Sequence, residues 1–135
     1  MKSKKLILYF LSIFLIVQVN CKREIMQVMT GNVSKVLTTT VYISGQLASA
    51  GEGIKKYGHC ISVNPDPGIS DIKTEFCSTI GTGEFTSVLY NLEPGTKYYA
   101  RGYITSGNIL IYGSEITFTT EKPVSIIPFP DDPDK

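Results

Sequence analysis

The sequence has no tryptophan, one histidine and three cysteines, and each shortage excludes something. Without tryptophan, the eight tyrosines and six phenylalanines must supply every large ring of core and surface. With one histidine, His59, a Ser-His-Asp set would have to be built on that residue alone, and no Gly-x-Ser-x-Gly elbow accompanies it. His59 and Cys60 are adjacent, so in a strand they point to opposite faces and do not share a metal. Three cysteines are too few for a disulfide framework, and no spacing of His, Cys or carboxylates reads as a metal site. Asp66 and Asp71 flank a Pro/Gly loop, where an Asx-turn role is expected ahead of a weak cation site. Gly81-Thr82-Gly83 lacks a following lysine and helix, so it reads as a turn before a strand rather than a phosphate loop. No cofactor motif is present, and the chain is not expected to be an enzyme.

An excess of charge is also lacking. Without Lys2, Lys4 and Lys5, ten basic residues face twelve acidic ones, a formal charge of −2. That balance offers no basic face for nucleic acid. With 135 residues the chain is one domain, not two.

What is present begins at the N-terminus. Three lysines within Met1–Lys5 precede Leu6–Val19, a nearly continuous apolar run. This is a signal-peptide pattern, and the run is short for a membrane span, which takes about 20 apolar residues. Asn20-Cys21 follows, and here the chain resembles a bacterial lipobox, in which the cysteine is lipidated and becomes the new N-terminus. The resemblance implies cleavage after residue 20 and a membrane anchor at Cys21, stable when more than one acyl chain is attached. The expected location is the cell envelope, lipid-anchored to the outer membrane.

From Ile25 to Thr120 the periodicity is that of strands. Short alternating or β-branched runs occupy Ile25–Met29, Thr38–Leu47, Ile54–Val63, Lys73–Cys77, Phe85–Leu89, Lys97–Thr105 and Ile116–Thr120. Breakers such as Gly31-Asn32, Asn64–Gly68 and Ser106–Asn108 separate them. About seven antiparallel strands with regular turns predict an all-β, immunoglobulin-like sandwich. Pro94-Gly95 makes a tight turn after Leu92, which caps the core, and Tyr98 then stands where a sandwich places its tyrosine corner. With Tyr98 inward, Ala100, Gly102 and Ile104 follow it inward. Tyr99, Arg101 and Tyr103 then face out as a candidate binding row, since Tyr and Arg are enriched at hot spots and flat rings stack on sugars. Cross-strand packing is the competing account of that row.

The ordered set Gly58-His59-Cys60, Asn64-Pro65, Gly83-Glu84-Phe85, Leu92-Glu93-Pro94-Gly95-Thr96-Lys97-Tyr98-Tyr99-Ala100-Arg101 and Tyr112-Gly113 through Phe118-Thr119-Thr120 resembles the fibronectin type III superfamily. More narrowly it is similar to the modules common in lipoproteins of the Bacteroidetes. Gly102 departs from that pattern, where a larger residue is usual. The resemblance covers about residues 38–120 and implies an interaction or spacer module.

The expected organisation is a signal peptide (1–20), a tether with the first strand (21–37), the sandwich (38–120) and a Pro/Asp-rich tail (121–135). Cys60 and Cys77 are left either to bridge or to stand as two small hydrophobes; a bridge closing about 17 residues adds about 3 kcal/mol in the chain-entropy model. The expected function is an envelope lipoprotein whose module mediates protein contact or adhesion, with the membrane and an unidentified protein as partners. The alternatives are a carbohydrate-binding accessory module, resting on Tyr99, Arg101 and Tyr103, and a small hydrolase or inhibitor, resting on His59.

Overall fold

The computed structural model describes residues 25–49, 53, 55–78 and 82–126. Cys21, the apolar run before it and most of the Pro/Asp-rich tail lie outside the described residues. Eight strands and no helix stand among those described: β1 (Gln27–Val36), β2 (Val41–Ser49), β3 (Lys55–Ser62), β4 (Ile72–Lys73), β5 (Phe76–Ser78), β6 (Gly83–Leu89), β7 (Lys97–Ser106) and β8 (Ile109–Thr119). All pairings are antiparallel. One sheet has the order β1-β2-β6; the other runs β4-β3-β7-β8, with β5 also paired to β3.

Three differences from the sequence reading have local causes. Gly31-Asn32 does not end β1. Register shifts between Thr30 and Val33 absorb the pair as a bulge, and the strand continues to Val36. Gly107-Asn108 forms a two-residue hairpin with Gly107 at φ 57°, so β8 starts at Ile109, well before Ile116. The run Lys73–Cys77 is split, although Lys73 and Phe76 keep a common register against Cys60 and Tyr57. Between them the Thr74 N–H still donates to the His59 carbonyl at 2.9 Å. The Thr74 carbonyl has instead turned to accept the Tyr103 hydroxyl at 2.7 Å, and the Thr74 hydroxyl accepts the His59 N–H at 3.1 Å in its stead.

The tyrosine corner is closed by the Glu93 N–H, which donates to the Tyr98 hydroxyl at 3.0 Å. Leu92 is buried beneath it and Gly95 takes φ 61°. Two apolar clusters fill the sandwich. Val41, Ile43, Ile61, Leu89, Leu92, Tyr98, Ala100 and Phe118 pack at the tyrosine-corner end. Val28, Leu47 and Ile104, joined by Met26, Tyr57, Phe85 and Ile111, pack at the other. The pairings Ile61–Ala100 and Tyr57–Ile104 put His59 and Gly102 at the level between the two clusters.

Gly102 also explains how β1 closes the sandwich. β8 carries the two residues Gly113 and Ser114 where β7 has only Gly102, a bulge that leaves the Gly102 N–H without a β8 partner. That N–H donates to the Thr30 hydroxyl of β1 at 2.8 Å. A side chain on Gly113 would meet Thr30 Oγ1 at 2.7 Å, Thr30 N at 2.9 Å and the Val28 carbonyl at 3.0 Å. Two glycines thus admit β1 against the second sheet, and the departure at 102 is what the contact requires. Gly113→Ala should therefore cost about 1–3 kcal/mol, the usual range for overpacking, read as a lower urea midpoint. An unchanged midpoint would mean that β1 does not lie against β8.

Candidate functional site

The alternation on β7 is as the period-two pattern requires: Tyr98, Ala100, Gly102 and Ile104 face the core. The opposite face is not open. Tyr103 is 1% exposed, and only 19% of the Arg101 side chain meets solvent. The connection between β3 and β4 folds back over Arg101 with Pro67 fully buried, and the Tyr103 hydroxyl is taken up by the Thr74 carbonyl between β4 and β5.

Arg101 holds that connection. Its Nε donates to the Pro67 carbonyl, and Nη2 donates to the Asp66 carbonyl at 3.3 Å. Its guanidinium lies 3.8 Å from the centre of the Tyr112 ring, a cation–π stack, while Nη1 stands 3.8 Å from Asp66 Oδ1. The Asp66 N–H donates to Glu115 at 2.6 Å, the Ile69 N–H to the Tyr112 hydroxyl at 3.2 Å, and the Gly68 N–H to Asp71 at 2.7 Å. Asp66 and Asp71 are therefore loop-holding groups, and Asp66 adopts the left-handed conformation at φ 58°. Tyr99 is half-buried, with Lys97 5.0 Å from its ring centre. The expected exposed row of Tyr99, Arg101 and Tyr103 is corrected accordingly: a loop that the strand pattern did not place covers Arg101, Tyr103 is buried and bound to Thr74, and Tyr99 alone stays half-open. Burial pushes the Tyr103 hydroxyl up to about 12, consistent with its role as a neutral donor to Thr74.

The same covering decides the cysteines. Cys60 points to this outer face, with its thiol 3.4 Å from the Pro67 carbonyl. Burial pushes it above the ordinary thiol range. Cys77 is exposed on β5, and both thiols are free. The register sets Cys77 opposite Lys56, four residues along β3 from Cys60. At about 3.3 Å per residue, that separation far exceeds the ~7 Å a disulfide spans, so the Cys60–Cys77 bridge is ruled out.

His59 is the polar residue that sequence reasoning placed least well. The strand pattern leaves open whether it or Cys60 faces the core; it is wholly buried between the sheets. Its Nδ1 lies 2.8 Å from Ser87 Oγ of β6, and Ser87 Oγ lies 2.7 Å from Thr74 Oγ1. Full use of the hydroxyl protons assigns the direction: Thr74 donates to Ser87, Ser87 donates to Nδ1, and the ring proton resides on Nε2. Among the described residues Nε2 meets no partner of normal geometry. The ring packs over Gly45, where any side chain would strike it, and lies 5.1 Å from the Phe85 ring. Phe85 belongs in turn to an aromatic cluster with Tyr57 and Phe76. The arrangement ties three strand elements together. It does not present a nucleophile, because Ser87 is itself wholly buried. No signal in the sequence identified Ser87 or Thr74.

Burial lowers the His59 pKa to about 4, against a weaker opposite pull from the Ser44 backbone carbonyl. The folded chain thus disfavours the charged ring. Stability should be flat in this group above the ordinary value of 6.5 and should fall as pH drops from there towards 4. The full effect is about 3 kcal/mol at ~1.4 kcal/mol per unit. Denaturant titrations of the wild type and His59→Gln across this range provide the test; the difference between their stabilities should vary with pH only within that window.

A groove of about 440 Å³ lies on the outer face of the three-stranded sheet, lined by Met29, Ser44, Gln46, Glu84 and Thr86 among others. Met29 and Ile72 are exposed along the sheets, and other exposed apolar side chains stand at the sandwich's two ends. Val63 and Tyr90, 53% and 61% exposed, follow the last residues of β3 and β6 at the tyrosine-corner end. Ile25, Ile109 and Leu110 stand at the opposite end.

No protein-family model matches the chain, and no curated protein sequence matches it. Solved structures do. The sensor domain of the anti-sigma factor RsgI4 from Pseudobacteroides cellulosolvens is similar at a TM-score of 0.58 and 14% identity, over 82% of this chain and 89% of that one. The fibronectin type III domain derived from the human KIAA0970 protein gives 0.53 and 17%, over 78% and 80%. That of human fibronectin type III domain containing protein 3 gives 0.51 and 14%, over 76% and 91%. At such identities the likeness is one of architecture, and it shows that this chain has a fibronectin type III-like β-sandwich fold.

Proposed function

We propose that the protein is an envelope lipoprotein, anchored through Cys21, whose sandwich is a non-catalytic module for protein contact or adhesion. The observation that carries this reading is where the polar chemistry goes. Arg101, Asp66 and Asp71 hold a loop, Tyr103 satisfies the Thr74 carbonyl, and His59 and Ser87 tie the sheets. The matching domains, a sensor domain and fibronectin type III domains, support an interaction module. The apolar run before Cys21 supports export and anchoring.

The strand topology supports a partner surface at one end of the sandwich. β1 enters the sandwich at the end where Gln27 pairs with Ser49, and β7 spans ten residues from the tyrosine corner to that end. At about 3.3 Å per residue, the tyrosine-corner end lies about 30 Å from the anchored one. Val63 and Tyr90 therefore face away from the membrane, an aromatic and an aliphatic side chain of the kind that anchor protein contacts.

A photo-reactive residue placed at position 90 of the full chain in its own envelope should give a discrete adduct with one envelope or surface protein. Val63→Asp, at an exposed site, should abolish that adduct while leaving the unfolding midpoint within about 0.5 kcal/mol of wild type. Adducts unaffected by Val63→Asp would remove the tyrosine-corner end as the contact surface. Failure of Cys21→Ser to release the protein from membranes would remove the anchor.

A further inference from the structure

The end of the sandwich that receives the N-terminal chain carries its own apolar tip. The β7–β8 hairpin turns at Gly107-Asn108 and exposes Ile109 and Leu110 directly after the turn, at 55% and 39%. Ile25, 74% exposed, stands at the same end just before β1. Met26 and Ile111 pack into one cluster, which sets the start of β1 beside the start of β8. The three exposed side chains thus rim one end. They do not complete the core, because Val28, Leu47 and Ile104 already fill it.

Chain length says what covers them. Cys21 precedes Ile25 by four residues. At no more than about 3.6 Å per residue, a lipidated Cys21 holds Ile25 within about 14 Å of the membrane surface. That tether brings this end of the sandwich, and the hairpin beside it, to the headgroup layer. A mobile module on a long linker would present any face; a tether this short presents this one.

We propose that the β7–β8 hairpin tip is a second membrane contact, with Ile109, Leu110 and Ile25 seated among the lipid headgroups and acyl boundary. This rests on the Cys21 anchor proposed above. Apolar side chains at that depth add to the lipid anchor and fix the tilt of the domain. Their consequence is directional: the tyrosine-corner end is held outward instead of tumbling about the tether.

The absence of tryptophan makes the test direct, because any tryptophan introduced is the only one. The lipidated full chain is reconstituted into phosphatidylethanolamine–phosphatidylglycerol vesicles containing brominated acyl chains. Ile109→Trp is the hairpin reporter, Ile25→Trp a second reporter that does not touch the hairpin, and Tyr90→Trp the reporter at the far end. The expected result is blue-shifted emission with strong loss to the bromolipid for the first two, and water-like, unquenched emission for the third. Three outcomes overturn the proposal, and they are distinguishable. A chain that does not float with the vesicles removes the anchor and the hairpin contact together. A chain that floats with both reporters water-like keeps the anchor and removes the contact. A blue shift at 109 without quenching means that another protein surface, such as a second copy, covers the tip.

Discussion

A buried polar link across the sandwich is the constraint on which the rest of the structure depends. His59 of β3, Ser87 of β6 and Thr74 between β4 and β5 connect the two sheets at the level where apolar packing is interrupted. Hydrophobic contact has no direction, so two sheets held by it alone are free to slide. A hydrogen-bonded set inside a low-dielectric core tolerates one relative position, because any other leaves its groups unpaired at about 1–3 kcal/mol each. Gly45 lacks a side chain where the Phe85 ring and the imidazole together occupy the space. Thr74 breaks its own strand to supply the hydroxyl, and its displaced carbonyl is satisfied by Tyr103. The buried link therefore accounts together for a split edge strand and a buried tyrosine on the outer face of β7.

The outer face of the five-stranded sheet follows the same economy. With no side chain at Gly58, opposite Tyr103, the Tyr103 hydroxyl reaches the turned Thr74 carbonyl. Beside it, Arg101 and Tyr112 grip the β3–β4 connection. Residues with the composition of a binding site thus fasten a loop. A planar guanidinium stacked on a ring and bonded to two carbonyls differs from a mobile surface arginine, which is why type and spacing alone misdirect here.

What the sequence disclosed, and what it did not, divides along range. Strand periodicity, the Leu92–Tyr98 corner and the inward set on β7 depend on neighbours within a few residues, and the pattern carries them. The fate of the outward set depends on a loop some 35 residues earlier in the chain, for which no local signal exists. The bridge between Cys60 and Cys77 fails on register, a property of strand pairing and not of spacing. His59 was visible as a strand residue facing opposite to Cys60, but which of the two faced the core was not. The pairing of Gly102 and Gly113 with Thr30 became legible only once the bulge in β8 was known.

The architecture also separates two surfaces by the length of its strands. The chain enters at one end, beside the Gly107-Asn108 hairpin; Tyr90 and Val63 are presented at the other. A rigid spacer of that kind is useful only if the sheets keep one relative position, which the polar link fixes. The most direct measurement is a double-mutant cycle on Ser87→Ala and Thr74→Val, with stability read by urea unfolding. If the hydroxyls act as a linked pair across the sheets, the cycle should give a coupling of about 1–2 kcal/mol. Additive losses, with a coupling indistinguishable from zero, would contradict the claim that this link sets the register of the sandwich.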